Sequence, residues 1–144
     1  MRSSYAIKIN FLTSAYNIID EYQEDLVNDF NIYSKENHLN ITLDRMCLSP
    51  QNVSIDVNNF ASFLELKLKK KNSNYDLILI DNIYSNLYFN YVVDISKYIS
   101  NDTLEHYSSG IAKQIGYIDG KLVSMVSYYL IFQHFIITII TINY

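Results

Sequence analysis

Residues 75–81 read YDLILID: four consecutive aliphatic residues, Leu77, Ile78, Leu79 and Ile80, closed by a carboxylate at Asp81. A run of that length without alternation suits a strand buried on both faces, as in a parallel sheet with helices on either side. Working back toward the amino terminus, Val53, Val57, Phe60, Leu64 and Leu68 recur at helical spacing. The lysines from 67 to 71 fall on the last turn of that helix, where cations favour the negative dipole end. Before it, residues 39–48 (LNITLDRMCL) place Leu39, Ile41, Leu43 and Cys47 on one strand face and stop at Ser49-Pro50, a turn signal. Ile19, Tyr22, Leu26, Phe30 and Tyr33 mark one apolar face of an earlier helix, with Asp20, Glu21, Glu24, Asp25 and Asp29 toward water. Tyr5, Ile7 and Ile9 alternate with Ala6, Lys8 and Asn10 ahead of it, the period of a strand.

Strand, helix, strand, helix, strand predicts an α/β fold with right-handed crossovers. The expected strands cover residues 5–11, 39–48, 75–80 and 121–126, and the expected long helices 20–37 and 53–70. Between 82 and 116 the pattern is looser: a short aromatic-rich helix near 82–93, a packed anchor at 94–99 and another short helix at 111–116. Asp119-Gly120 is the strongest turn signal in the chain, because a type I′ hairpin needs positive φ at two positions.

Composition narrows function. The 144 residues carry 11 Lys and Arg against 15 Asp and Glu, so no basic stripe is available to grip phosphates and a nucleic-acid partner is excluded. One cysteine and three histidines far apart in sequence disfavour a metal site. Three glycines leave no phosphate-cradling loop, and no G-x-S-x-G elbow marks a nucleophile. Neither a cofactor nor a catalytic residue is expected, and these motifs are not read as those of an enzyme. Cys47 reads as a small core residue, and His134 as structural. Ile, Asn and Tyr make up 51 of the 144 residues. All three have adenine- and thymine-rich codons, so that bias discounts surface tyrosines and the sequons at Asn40, Asn52 and Asn101. No secretory signal pattern is visible, since Lys8 interrupts the first apolar stretch.

In open α/β sheets ligands gather outside the carboxyl ends of the strands. That places candidate contacts at Thr13 and Ser14, at Leu48-Ser49-Pro50, and at Asp81 and Asn82. A carboxylate directly after buried aliphatics needs solvent or partners, and at a crevice it can accept hydrogen bonds from sugar hydroxyls or an amine. A helix-capping role for Asp81 fits the same residue. Tyr84, Tyr88, Tyr128 and Tyr129 offer rings for stacking on a sugar face or for plain packing.

Residues 75–100, followed by GYIDGKLVSMVSYY at 116–129, resemble the first lobe of extracellular solute-binding proteins of sugar ABC transporters, the type II periplasmic-binding-protein fold. The corresponding features are Asp81, then Asp94-Ile95-Ser96-Lys97-Tyr98-Ile99, then Asp119-Gly120-Lys121-Leu122-Val123. The resemblance covers residues 5–129. It implies a three-layer α/β/α lobe with a mainly parallel, incomplete sheet, and binding of a sugar or oligosaccharide as half of a clamshell. It also implies ligand contacts at Thr13, Ser14, Asp81, Asn82, Tyr128 and Tyr129, an extracellular or cell-surface location, and a transporter or receptor partner. The compositional bias and the sequons also fit a relative in a eukaryote resembling the anaerobic fungi.

Members of that family are more than twice this length, so the second lobe and the strand that returns to complete this sheet are expected to be missing. Residues 122–144 contain no Asp, Glu, Lys or Arg. A stretch of 23 residues is long enough to cross a bilayer. It gives the alternative reading of a membrane-anchored, receptor-like ectodomain or interaction fragment. Residues 1–129 are read as the lobe, and residues 130–144 as an apolar tail left by a truncation or a gene-model artefact, poorly integrated with the lobe.

Overall fold

The computed structural model describes residues 6–14, 20–49, 57–70, 74–130 and 133–140. The β-strands are β1 (Ile7–Ser14), β2 (Ile41–Leu48), β3 (Leu77–Asp81), β4 (Tyr117–Ile118), β5 (Lys121–Leu122), β6 (Met125–Leu130) and β7 (Gln133–Ile140). The helices are α1 (Asp20–Glu36), α2 (Val57–Lys69), α3 (Ser85–Tyr88), α4 (Asn101–Tyr107) and α5 (Gly110–Gly116), with single 3-10 turns at Asn82–Tyr84, Phe89–Tyr91 and Ile95–Lys97. Five strands form one sheet in the order β2-β1-β3-β7-β6, and β4 and β5 form a separate hairpin.

The first three strands are parallel, with Ile7 opposite Ile41 and Leu12 opposite both Met46 and Ile78. Helices cover both faces, as the unbroken aliphatic run of β3 requires. Leu79 packs with Phe11, Val27 and Leu43 on the α1 side. Ile78 and Ile80 pack with Leu12, Leu48, Leu64, Leu68 and Tyr88 on the other. The Tyr88 hydroxyl donates to the Ala61 carbonyl at 3.0 Å, so this aromatic ring, which has no exposed surface, also satisfies its polar tip.

The buried face of α1 differs from the expected one. Gln23, Val27 and Ser34 are buried, whereas Leu26 and Tyr33 are 43% and 57% exposed. Ile19 lies outside the described residues. The physical reason is the outer edge of β2, which no strand among the described residues covers. Asn31 accepts from the Leu43 N–H at 2.8 Å and donates to the Leu43 carbonyl at 3.0 Å, standing in for a strand partner. Ser34 exchanges the same pair of bonds with Ile41. Satisfying an edge strand turns the helix toward its polar residues, a choice that apolar spacing does not encode.

Residues 121–126, expected as one strand, divide into β5 and the start of β6. Asp119 (φ 50°) and Gly120 (φ 77°) take the left-handed conformations of the expected hairpin turn and join β4 to β5. The larger correction concerns the carboxyl-terminal residues. Residues 133–140, expected in a poorly integrated tail, form β7 and pair on both sides inside the sheet, antiparallel to β3 and to β6. This strand fills the place between β3 and β6. A β-branched segment suits such a place, where its backbone gains ladder hydrogen bonds on both sides. The alternative reading of residues 122–144 as a bilayer span meets strands instead, since the described residues there include the end of β5, all of β6 and all of β7. No helix among the described residues is long and apolar enough to cross a membrane.

Candidate functional site

The strand directions set the geometry of the candidate site. β6 is antiparallel to β7, which is antiparallel to β3, so β6 runs the same way as β1, β2 and β3. Four strands therefore end on one edge of the sheet, at Ser14, Leu48, Asp81 and Leu130. Ser14 lies opposite Leu48. Asp81 is three residues past Ile78, and Ser14 two past its neighbour Leu12, so the ends of β1 and β3 differ by a single row.

Asp81 lies opposite Phe135 on β7, and Phe135 lies opposite Tyr128 on β6. Asp81 and Tyr128 thus share one row of the sheet, two strand spacings or roughly 10 Å apart. Tyr129 follows in the next row, opposite His134. Asn82 opens the 3-10 turn that leaves β3. The side chains of Asp81, Asn82, Tyr128 and Tyr129 lie outside the described part of the structure. Backbone topology alone collects the candidate residues on one edge, although they are separated by up to 116 positions in the chain.

Thr13 differs from its neighbour. It has no exposed surface, and its hydroxyl accepts from Arg45 Nε at 2.9 Å. The same guanidinium donates through Nη2 to Gln23 Oε1 at 3.1 Å, tying β1, β2 and the first turn of α1 together just below the edge. A guanidinium with its planar fork suits such a three-way tie, because its donors point in fixed directions. Sequence reading passes over Arg45. Its one signal is parity, since Arg45 lies on the same strand face as Leu43 and Cys47 and so points inward.

Asp94 is the other polar centre. Its Oδ1 accepts from Ser96 Oγ at 2.6 Å, from Ser96 N–H at 3.2 Å and from Leu122 N–H at 3.2 Å. These bonds, led by the Ser96 hydroxyl, hold its carboxyl below the ordinary aspartate range. Burial raises the phenols of Tyr88 and Tyr75. Both groups are structural, and neither gives an acid or base at the edge. No cluster of three metal-ligating side chains occurs among the described residues.

A separate cavity of about 430 Å³ lies at the opposite end of the sheet, where β2 begins. Asn31, Ser34, Lys35, His38 and Asn40 line it. Asn31 and Ser34 are already committed to the β2 edge, which makes this cavity a by-product of edge capping.

No protein-family model matches the chain, and no curated protein matches it in sequence. Solved structures do match in fold. An ABC-transporter solute-binding protein from Agrobacterium radiobacter, in complex with ribitol, aligns with a TM-score of 0.61 at 15% identity, over 84% of this chain and 29% of that one. An ABC substrate-binding protein from Listeria monocytogenes, in complex with cycloalternan, aligns with a TM-score of 0.61 at 17% identity, over 83% and 28%. A family 1 extracellular solute-binding protein from Alicyclobacillus acidocaldarius aligns with a TM-score of 0.57 at 17% identity, over 85% and 28%. The chain therefore has the α/β fold of part of these solute-binding proteins. It spans less than a third of the length of these structures. The neighbours described are solute- or substrate-binding proteins.

Proposed function

We propose that this chain is the first lobe of a clamshell solute-binding protein and offers the carboxyl edge of its sheet to a sugar or oligosaccharide. The observation that carries the reading is the gathering of Ser14, Asp81 and Tyr128 on one edge of four parallel strands. Open α/β sheets bind ligands at such an edge, where strand ends leave polar groups facing a crevice. Neighbours of this fold were solved with ribitol, cycloalternan and mannotriose, which favours a ligand rich in hydroxyls. Ser14 and Asp81 are the proposed hydrogen-bonding contacts, with Asn82 beside them and the rings of Tyr128 and Tyr129 as stacking surfaces. Thr13 supports the edge through Arg45 rather than touching the ligand. The protein acts without chemistry, outside the cell, and delivers its ligand to a transporter or receptor at the membrane.

A clamshell closes by hinge motion with contacts from both lobes. One lobe supplies half of them, and affinity is only the surplus left after the entropy of association is met. Weak binding, with Kd near about 1 mM, is the expected strength. Titrating the ¹⁵N-labelled chain with ribitol, mannotriose and cycloalternan in turn tests the site. Amide shifts grouped at Ser14, Ser49, Asp81 and Asn82 support the reading. Shifts grouped around Lys35 and His38, or none with any of the three, overturn it.

A further inference from the structure

Helix α1 closes on two hydrogen bonds that turn the chain toward β2. The Leu39 N–H donates to the Ser34 carbonyl at 2.9 Å and the His38 N–H to the Lys35 carbonyl at 3.3 Å, with His38 in the left-handed region at φ 55°. This is a Schellman closure, in which one left-handed residue satisfies the last helical carbonyls. Asn40 takes a second left-handed conformation at φ 56°, which asparagine tolerates better than most residues. Its carbonyl accepts from the Ile7 N–H at 2.8 Å, so the backbone is anchored to β1 while the residue stays exposed. Ile41 and Thr42 then begin β2, and Thr42 is exposed as well.

Asn40-Ile41-Thr42 has the N-x-S/T pattern of a glycosylation acceptor, as do the triplets at Asn52 and Asn101. Compositional bias explains how often such triplets arise, but an acceptor is read by its local chemistry whatever its origin. Placement separates the three. Asn52 lies outside the described residues. Asn101 opens α4, in whose first turn the Ser100 hydroxyl accepts from the Thr103 N–H at 3.2 Å and lies 2.9 Å from the Thr103 hydroxyl. Asn40 stands instead at a surface turn ahead of extended chain, a setting that carries a bulky, hydrophilic group without disturbing the core. Asn40 and Thr42 both line the cavity of about 430 Å³ at this end of the sheet, which leaves room for a first sugar beside them. From there β2 runs to the carboxyl edge at Leu48, a span of roughly 26 Å at the usual rise per residue.

On the reading of this protein as extracellular, we propose that Asn40 carries an asparagine-linked oligosaccharide at the pole opposite the candidate ligand edge. The donor is an oligosaccharide held on a lipid pyrophosphate. The side-chain amide nitrogen of Asn40 attacks C1 of its first sugar, so a C1–Nδ2 bond forms and the C1–O bond to the pyrophosphate breaks. The amide gives up one proton, and the lipid pyrophosphate leaves with the bonding electron pair. The glycan then stands clear of Ser14 and Asp81, which lie at the other end of the strands.

The test translates the full 144-residue chain behind a secretory leader in a cell-free extract supplied with endoplasmic-reticulum microsomes. An acceptor triplet placed in the linker after the leader marks every translocated chain, and only chains carrying that glycan are scored. Among them, wild type should bear one endoglycosidase-sensitive glycan more than Thr42→Ala, a variant that leaves Asn40 and its left-handed turn in place. Thr42→Ser should keep the wild-type number. Equal numbers in wild type and Thr42→Ala overturn the inference. The folded glycoprotein, purified from a eukaryotic secretory host, should also lose this glycan to the endoglycosidase without denaturant, and release only after unfolding would contradict its place at an exposed turn. Sugar titration of the unglycosylated chain made in bacteria reads the carboxyl edge by itself, so failure of the binding reading and failure of the glycan site are seen separately.

Discussion

The carboxylate of Asp94 accepts a hydrogen bond from the backbone N–H of Leu122 at 3.2 Å, across 28 residues of sequence. The same oxygen holds the Ser96 backbone and hydroxyl. One side chain therefore closes the 3-10 turn over which Ile95 is buried and clips that turn to the β4–β5 hairpin. Leu122 and Val123, immediately beyond the clip, are buried at 0% and 1% exposure. The chain then enters β6, so the placement of Tyr128 in the same sheet row as Asp81 depends on a contact made some distance from the edge.

Asp94→Ala should destabilise the fold by about 2 kcal/mol, the range for hydrogen bonds to a charged acceptor. Asp94→Asn keeps one acceptor oxygen and should lose about half of that. Urea unfolding of the three proteins checks the order, and an Asp94→Ala protein as stable as wild type would show the clip to be idle.

The pH dependence follows from the lowered pKa of Asp94. A carboxyl that ionises more readily folded than unfolded stabilises the fold fully above its unfolded value, near about 3.9. That contribution disappears as the pH falls through the lower native value. The gap in stability between wild type and Asp94→Asn should be wide at about pH 6 and narrow below about pH 3. A constant gap would contradict the assignment.

Gly116→Ala should destabilise despite its place at the end of a helix. A Cβ at Gly116 would lie 2.6 Å from the Ser124 carbonyl oxygen and 3.1 Å from Leu122 Cδ1. The backbone at Ser124 would have to move, because Gly116 accepts from the N–H groups of both Val123 and Ser124. The expected loss is about 1 to 3 kcal/mol, as for overpacking elsewhere, read as a drop in melting temperature.

Asn31→Ala removes both bonds to Leu43 on the outer edge of β2. The cost should be about 1 to 2 kcal/mol. Amide hydrogen exchange at Leu43 should accelerate by more than this global loss accounts for. Equal acceleration across β1 and β2 would mean that the edge is protected in another way.

Truncation after Tyr129 removes β7 from the interior of the sheet. Soluble yield should fall, because β3 and β6 would lose the strand that joins them. A truncated chain that folds with unchanged protection in β3 would show that β7 is dispensable.

The elements most legible in the sequence are those whose signal is local. The run Leu77, Ile78, Leu79 and Ile80 announces a strand covered on both faces, and the structure divides it between two cores. Leu64 and Leu68 on α2 are buried as their spacing predicts, and Asp119-Gly120 forms its hairpin. The common edge of Ser14 and Asp81 follows from parallel order, which the alternation of strands and helices already implies. Three features depend on partners distant in the chain. The rotation of α1 is set by the unpaired edge of β2, where Asn31 and Ser34 outweigh Leu26 and Tyr33. The burial of Thr13 depends on Arg45, 32 residues away. The apolar residues 133–140 have the same hydropathy whether they cross a bilayer, hang free or fill a sheet. Their place was settled by a gap between β3 and β6 that exists only once the other strands have assembled, because ladder hydrogen bonds on both sides of a strand are gained there and nowhere along the isolated segment.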